Sequence, residues 1–204
     1  YSGTQKCLSC APGLSPLTMN ERAVERIRNR EKPISSWFLD LDLVMGYWAE
    51  GQARSYHHTA PVNALYGLHE SLLIATEEGL QQSWARHYRN HLALRAGLEA
   101  LGLVLIVPEN ERLPQMNAIS IPAGVDEALV RRQLLQQFNL EIGAGLGALA
   151  GKVWRIGLMG YASRAENVLI CVSALEAILS QHNASIHRGV AVDAVQAVYD
   201  AGQD

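Results

Sequence analysis

Three short segments of this chain carry side chains that could do chemistry together. The first is a loop of small residues, Ser-Gly-Thr-Gln-Lys-Cys at positions 2–7, which holds Lys6 and is followed by Ala-Pro-Gly at positions 11–13. Small neighbours let a bulky planar ligand approach the backbone closely. An amine held there, away from water, could attack an aldehyde and form an imine. The plainer interpretation of Lys6 is a solvated lysine on a surface loop.

The second and third segments supply two hydroxyls and a guanidinium. Tyr56 and Thr59 lie in an irregular stretch before Pro61, and their hydroxyls are hydrogen-bonding groups that carry no charge. Arg155 lies in an otherwise apolar run at positions 153–159, where a buried guanidinium needs an anionic partner. Such a group binds an α-carboxylate through two parallel hydrogen bonds. The alternatives are an aromatic at the core edge for Tyr56, a turn residue for Thr59 and an internal ion pair for Arg155.

The composition is that of a globular protein. The 204 residues are 49% hydrophobic and 18% charged, and 17 Lys and Arg against 20 Asp and Glu leave a net charge of −3. This balance gives no electrostatic argument for nucleic acid or an acidic membrane, and no apolar run approaches the ~20 residues that cross a bilayer. The three cysteines do not make a disulfide framework. We therefore expect a cytoplasmic protein that binds neither nucleic acid nor membranes.

Hydrophobic periodicity predicts the elements that must position these residues. Helical patterns cover residues 21–30, 40–49, 62–101 with an interruption at Gly79, 126–137, 163–181 and 190–201. Strand-like runs cover residues 103–107, 117–121, 140–142 and 153–158. Capping boxes, Thr18 with Glu21 and Ser163 with Glu166, mark two helix starts. The sequence therefore predicts a helical first part, followed by an α+β unit with an antiparallel sheet.

Three motifs resemble the class V pyridoxal-phosphate-dependent aminotransferases, and most closely their alanine–glyoxylate (serine–pyruvate) group. They are Ser-Gly-Thr-Gln-Lys-Cys with the following Ala-Pro-Gly, Ser-Tyr-His-His-Thr-Ala-Pro at positions 55–61, and Gly-Lys-Val-Trp-Arg-Ile-Gly-Leu-Met-Gly at positions 151–160. Their order and separations also match, over residues 1 to about 181. The resemblance implies an α/β fold of fold type I. Residues 1–79 would be the C-terminal part of the large cofactor-binding domain, and residues 80–204 the small C-terminal α+β domain.

The resemblance also implies roles for individual residues. Lys6 would form the Schiff base with pyridoxal 5′-phosphate, and Gln5 would hydrogen-bond the cofactor phosphate. Tyr56 and Thr59 would reach the phosphate of the neighbouring subunit's cofactor, which makes a homodimer necessary. Arg155 would bind the substrate carboxylate. Lys6, once displaced from the cofactor, would move the proton at the substrate Cα.

The implied activity moves an amino group from alanine or serine to glyoxylate, giving glycine and a keto acid in two ping-pong half-reactions. The substrates would thus be small amino acids and 2-oxo acids. Alternatives within the class are serine–glyoxylate, ureidoglycine–glyoxylate and 2-aminoethylphosphonate–pyruvate aminotransferases. A cysteine desulfurase is disfavoured because residues 115–151 contain no cysteine. An alternative of another kind is a catalytically dead dimerisation module of the same fold.

The histidines at metal-compatible spacing give no metal site. His87 and His91 lie four apart on a predicted helix, but without a third ligand they are expected on its solvated face. His57 and His58 are neighbours in an extended segment, where we expect their rings to point apart. We therefore expect no metal in the protein.

Complete members of the family are roughly twice as long, with most of the large domain before the lysine. We therefore expect these residues to be the C-terminal part of a longer polypeptide and to be inactive alone. The aspartate that pairs with the pyridine nitrogen, the ring-stacking aromatic and the rest of the phosphate site would lie upstream.

Overall fold

A computed structural model describes residues 1–48, 53 and 55–201 of the chain. These residues divide into two compact units. The first contains Tyr1–Gln5 and Cys10–Glu70, and the second contains Lys6–Ser9 and Ser71–Asp204. The second unit thus takes its first residues from the lysine segment. The sequence predicted a boundary at residue 79 between the large and the small domain of the family. The two compact units do not test that boundary, and it stays a prediction.

The first unit consists of a loop and short helices. Its helices are α1 (Glu21–Arg28), α2 (Leu41–Trp48) and the greater part of α3 (Val62–Glu78). Helix α1 begins after Asn20, whose side chain accepts the backbone N–H of Ala23. The predicted capping residue Thr18 is wrong by two positions, because Asn20 satisfies this N–H instead.

The second unit places helices around a small sheet. After the end of α3 it contains, in chain order, α4 (Leu80–Ala100), β1 (Met116–Ser120), α5 (Glu127–Phe138), β2 (Gly143–Ala144), β3 (Val153–Gly157), α6 (Ala165–Gln181) and α7 (Ala191–Asp200). Short 3-10 turns lie at Glu109–Glu111, Gly147–Leu149 and Gly160–Ala162. Within the described ranges, no helix combines the length and the apolar character that a membrane crossing requires.

The sheet is antiparallel, with strand order β1-β3-β2. On the central strand β3, Val153, Trp154 and Ile156 are buried, whereas Arg155 between them is half-buried. Trp154 is completely buried, and its indole N–H donates to the carbonyl of Glu127 at the start of α5. The buried strand therefore fixes the backbone on both sides of Arg155.

Helices α4, α6 and α7 pack closely because a glycine lies where they meet. A Cβ built on Gly97 of α4 would come 2.7 Å from Val195 Cγ2 of α7 and 2.8 Å from Val172 Cγ1 of α6. These distances are shorter than van der Waals contact. A fully buried leucine-rich core surrounds this point; it includes Leu94, Leu98, Leu175 and Leu179.

Two predicted strands differ from the structure. The run at residues 103–107 forms only an isolated bridge, from Leu105 to Ile119, and the strand predicted at 140–142 lies at Gly143–Ala144. Helix α6 begins after Arg164, and Ser163 makes no side-chain cap there. Ser163 is instead buried and accepts a hydrogen bond from Asn90 Nδ2. A tertiary contact thus replaces the predicted capping box.

Candidate active site

Lys6 begins a tight turn in the second unit. The backbone N–H of Ser9 donates to the Lys6 carbonyl at 2.9 Å, and Ser9 has a left-handed backbone with φ of 56°. The residue Lys6 is exposed, so the shielding from water that its chemistry was expected to need does not come from the described residues. The turn thus lies at the surface of the described residues.

Gln5 and the loop before it belong to the first unit. Thr4 is completely buried, and its Oγ1 lies 3.3 Å from the carbonyl oxygens of both Ala11 and Leu14. A Cβ on Gly3 would overlap the Gln5 amide, so this glycine leaves room for the Gln5 side chain. The small residues of the motif therefore hold the backbone in shape immediately before the lysine.

The Lys6 turn is hydrogen-bonded to two other segments of the second unit. Ser71 Oγ of α3 donates to the Leu8 carbonyl, and the backbone N–H of Tyr161 donates to Ser9 Oγ at 2.8 Å. Gly160 has φ of 53° and lies so close to the turn that a Cβ there would overlap Ser9 Oγ and the Cys7 carbonyl oxygen. Only glycine fits both the left-handed backbone and this contact.

Arg155 has an arrangement suited to binding a carboxylate. Its Nε donates to the Ala144 carbonyl at 2.7 Å, and its side chain passes along Gly143 of β2, where a Cβ would lie 3.3 Å from Nη2. Among the residues that the structure describes, no carboxylate forms an ion pair with Arg155. Its two terminal nitrogens therefore remain for a bidentate bond to an external anion.

The glycine-rich segment before β3 shapes the loop that follows β2. A Cβ on Gly145 would overlap the Leu149 carbonyl, so the chain can fold back tightly at this point. Gly145 N–H also donates to the Val153 carbonyl at 2.9 Å. The segment therefore stabilises the pairing of β2 with β3 at the position of Arg155.

Tyr56 and Thr59 form a pair of hydroxyls in the first unit. Tyr56 Oη lies 2.6 Å from Thr59 Oγ1, and Tyr56 is 68% exposed. The Tyr56 ring contacts Tyr47 edge to face, with ring centroids 6.0 Å apart. One of these hydroxyls donates to the other, so the pair offers one proton to a phosphate oxygen while that bond is present and two when it opens.

The rings of His57 and His58 do not point apart as expected. The chain bends at His58, and the Nδ1 atoms of the two rings lie 2.7 Å apart. His57 is 6% exposed, stacks on Trp37 with ring centroids 4.1 Å apart, and places Nε2 3.2 Å from the Trp37 carbonyl oxygen. The pair thus holds the segment between Tyr56 and Thr59 against an aromatic support.

His87 and His91 lie in the interior, and the expected solvated helix face is wrong. Their exposed fractions are 3% and 4%. His87 Nε2 accepts the backbone N–H of Gly160 at 2.9 Å, and His91 Nδ1 donates to Asn117 Oδ1 at 2.7 Å. Burial lowers the pKa of His91, and the charges of Arg112 and Arg95 act in the same direction. Each histidine therefore holds α4 against the segments that flank the sheet.

An ion pair supports the turn after β3. Arg86 pairs with Glu78 through two of its nitrogens, and its Nη1 donates to the carbonyls of Gly160 at 2.9 Å and Ser163 at 2.7 Å. The hydrogen bond from Arg86 holds the pKa of the Glu78 carboxyl below its usual range. The guanidinium thus connects α3 and α4 to the turn that contacts the lysine segment.

The structure brings the Lys6 turn to the chain that leaves the strand of Arg155, and it pairs Tyr56 with Thr59 in the other unit. Sequence reasoning did not single out Ser9 or the contact made by Gly160, and it assigned His87 to a solvated helix face. Only the left-handed backbone of a glycine could have been suspected there, since hydrogen bonds between distant residues leave no local pattern. No group of three or more His, Cys, Asp or Glu suited to a metal occurs in residues 1–48, 53 and 55–201.

Comparison with curated proteins finds relatives along most of the chain. A (S)-ureidoglycine–glyoxylate transaminase from Bacillus subtilis is 41% identical over 97% of this chain and 51% of its own length. An alanine–glyoxylate aminotransferase from Callithrix jacchus is 41% identical over 89% of this chain and 44% of its own length. The chain thus spans about half the length of the curated relatives it matches. No family model matches it.

Comparison with solved structures also finds aminotransferases. The ureidoglycine–glyoxylate aminotransferase of Bacillus subtilis superposes with a TM-score of 0.92 at 44% identity, over 97% of this chain and 51% of that one. An alanine–glyoxylate aminotransferase from Nostoc superposes at 0.83 and 47% identity, over 87% and 46%. A pyridoxamine–pyruvate aminotransferase from Mesorhizobium loti superposes at 0.88 and 28% identity, over 96% and 50%. The likeness therefore covers both the helical part and the sheet.

Proposed function

Since this chain belongs to the class V aminotransferases, a family that depends on pyridoxal 5′-phosphate, we propose that its protein transfers an amino group to glyoxylate, with Lys6 and Arg155 at the centre of the site. The observation that carries the proposal is the arrangement of Arg155. Its Nε is bonded to Ala144, and its terminal nitrogens lack a carboxylate among the described residues. A guanidinium left in this way at a strand of the core is available to an anionic ligand, because a partly buried charge is costly unless it is paired.

The residues present fit the cofactor that the family uses. Lys6 supplies the amine that would hold it, and the exposed hydroxyls of Tyr56 and Thr59, 2.6 Å apart, supply neutral donors for its phosphate. Gln5 immediately precedes the lysine and is exposed, so its amide is a further donor. This set resembles a phosphate site, which needs several donors rather than additional charge.

Arg155 and Lys6 then divide the chemistry between them. Bound pyridoxal phosphate supplies an electron sink for the charge that develops when the substrate Cα loses its proton. The two terminal nitrogens of Arg155 hold the substrate carboxylate and orient its Cα. With the cofactor bound, the Lys6 amine would take the proton from Cα of the amino donor and pass it to the C4′ carbon of the cofactor, and in the second half-reaction it would carry a proton in the opposite direction, to Cα of the product. Because one site serves the amino donor and then the acceptor, the kinetics are expected to be ping-pong.

Glyoxylate is the proposed acceptor because the names of both the ureidoglycine and the alanine relatives include it. Alanine or serine is the proposed donor, giving glycine and a keto acid. A second candidate donor is (S)-ureidoglycine. It is favoured by the coverage of this chain, which is 97% for the ureidoglycine relative and 89% for the alanine relative at the same 41% identity.

We further propose that the active form is a homodimer with shared sites. Tyr56 and Thr59 lie in the first compact unit, whereas Lys6 and Arg155 lie in the second. Hydroxyls contributed by one subunit to the phosphate of its neighbour's cofactor would make dimerisation a condition for tight cofactor binding. A folded monomer that retains full cofactor affinity would contradict this arrangement.

The experiment is an absorbance titration of the protein in its natural full length. The visible band of the lysine-bound cofactor should survive dialysis, disappear on addition of the true donor and return with glyoxylate. Alanine, serine and (S)-ureidoglycine are each tested as the donor. Lys6→Ala should abolish the band, whereas Lys152→Ala, at another exposed lysine of the same unit, should leave it intact. A wild-type protein without a band would refute the proposal.

A further inference from the structure

Ser9 stands out in the turn that carries Lys6 because its backbone is in an unfavourable conformation. Its φ is 56°, in the left-handed region, and among the described residues only two others that are not glycine, Asn139 and Asn183, share that feature. Asparagine tolerates this conformation well, whereas serine does so at a cost. Strain of this kind persists where the surrounding structure holds it in place, and it concentrates at functional sites.

The side chain of Ser9 shows what holds it. Ser9 Oγ accepts the backbone N–H of Tyr161 at 2.8 Å, across 152 residues of sequence. Tyr161 lies in the 3-10 turn Gly160–Ala162, only four residues after the end of β3 at Gly157. The serine hydroxyl therefore joins the lysine turn to the chain that leaves the strand of Arg155.

The anchor for this bond is itself rigid. Gly160 N–H donates to the buried His87 Nε2 at 2.9 Å, and the Gly160 carbonyl accepts from Arg86 Nη1, also at 2.9 Å. Both partners lie on α4. A Cβ on Gly160 would overlap Ser9 Oγ, so no side chain separates the two segments. Both the N–H and the carbonyl of Gly160 are thus held by side chains of α4.

We propose that Ser9 is a positioning residue, and that its hydroxyl clamps the lysine turn onto the exit of β3 and so sets the place of the Lys6 amine relative to the Arg155 guanidinium. This inference rests on the proposed function of Lys6 and Arg155. Proton transfer at Cα requires the amine to lie within a fraction of an ångström of its working position while the carboxylate is held elsewhere. The clamp supplies a direct non-covalent link between the two segments.

Three variants separate the hydroxyl from the backbone strain. Ser9→Ala and Ser9→Gly both remove the acceptor, but glycine also relieves the left-handed strain. Ser9→Asn keeps a side-chain acceptor and tolerates the left-handed backbone. The control is Ser173→Ala, at an exposed serine of α6. Circular dichroism confirms that each variant is folded.

The first readout is amide hydrogen exchange in the cofactor-free protein. Loss of one hydrogen bond should speed exchange at Tyr161 and in residues 6–9 by about tenfold in both the alanine and the glycine variant. Ser9→Asn and Ser173→Ala should exchange like wild type. Unchanged exchange in Ser9→Ala would overturn the clamp, and so would wild-type exchange in Ser9→Gly, because strain alone would then explain the alanine variant.

The second readout is the split between kcat and KM. Misplacing the amine should lower kcat about tenfold in Ser9→Ala and Ser9→Gly, with KM for the carboxylate substrate unchanged, and Ser9→Asn should restore kcat. A raised KM with normal kcat would instead place the effect on substrate binding and overturn the proposal. A failure of the proposed function itself would appear in the wild-type protein, as a missing absorbance band. A failure of the clamp would appear only in the Ser9 variants.

Discussion

His87 Nε2 accepts the backbone N–H of Gly160, 2.9 Å away and 73 residues further along the chain. The other ring nitrogen, Nδ1, lies 2.6 Å from the Ser83 carbonyl, which can only accept, so Nδ1 must carry the proton. The imidazole is therefore in its neutral form with both nitrogens bonded. A single buried side chain of α4 thus holds the turn against which the lysine segment rests.

Replacement of Arg155 by lysine should weaken substrate binding. A lysine ammonium cannot make two parallel bonds to a carboxylate. We expect KM for amino donor and glyoxylate to rise by tenfold to a hundredfold, or roughly 1.5–3 kcal/mol, while the cofactor band remains. Steady-state kinetics of Arg155→Lys check this. Arg132→Lys, at an exposed arginine of α5, serves as the control, and an unchanged KM in Arg155→Lys would contradict the assignment.

Removal of the Tyr56 hydroxyl should weaken cofactor binding. Tyr56→Phe leaves the ring contact with Tyr47 but takes away one of the two hydroxyls offered to the phosphate. We expect the cofactor Kd to rise about tenfold, in line with the loss of one hydrogen bond to a charged group. Equilibrium dialysis measures the change. Tyr66→Phe, at an exposed tyrosine of α3, should bind like wild type, and equal affinities for all three proteins would argue against the phosphate role.

The free energy of unfolding should decrease as the pH is lowered, partly because the unfolded chain protonates His91 more readily than the folded protein does. Burial lowers the pKa of this histidine in the folded protein, so the unfolded chain takes up the proton first as the pH falls below about 6.5. The contribution of neutral His91 is therefore present above that pH and is lost below it, with a slope of at most about 1.4 kcal/mol per pH unit.

Denaturant unfolding of His91→Gln between pH 8 and pH 5, about three units around the histidine pKa, tests this. The glutamine variant should show a flatter pH dependence than wild type. His69→Gln, at an exposed histidine of α3, should keep the wild-type slope. A slope unchanged by His91→Gln would show that the buried histidine does not contribute.

A methyl group at Gly97 should destabilise the second unit. The added Cβ would press on Val195 and Val172, and overpacking of this kind costs about 1–3 kcal/mol. Gly67→Ala is the matched control, since its Cβ would meet nothing within 4 Å in the middle of α3 and should add up to about 1 kcal/mol. Urea unfolding of both variants measures the difference. Equal stabilisation by the two alanines would contradict the close packing of α4.

The parts of the fold that sequence predicted best are those with local causes. Periodicity and Gly79 placed α3 and α4 to within about a residue, because amphipathic faces and a left-handed glycine at φ of 83° are local signals. The strand predicted at 103–107 failed because it pairs with β1 at only one residue, Leu105. Pairing depends on the partner strand, and a run of apolar residues does not specify its partner.

The candidate site divides in the same way. Lys6, Tyr56, Thr59 and Arg155 could be predicted as site residues because each lies in a contiguous motif, and their roles stay predictions. The hydrogen bonds of the Lys6 turn span 63 to 152 residues of sequence, between Ser71 and the Leu8 carbonyl and between Tyr161 and Ser9. The solvated face expected for His87 failed for the same reason, since its partner Gly160 lies far along the chain.

The contact between His57 and His58 sets the direction of a short chain of hydrogen bonds. His57 Nε2 faces the Trp37 carbonyl, which can only accept, so that nitrogen carries the hydrogen. The bond between the two Nδ1 atoms needs one hydrogen between them, and with both rings neutral only His58 can supply it. His58 therefore donates to His57, and His57 donates to the Trp37 carbonyl. Loss of the His57 ring would deprive the His58 Nδ1 and the Trp37 carbonyl of their partners at once, beside Tyr56 and Thr59.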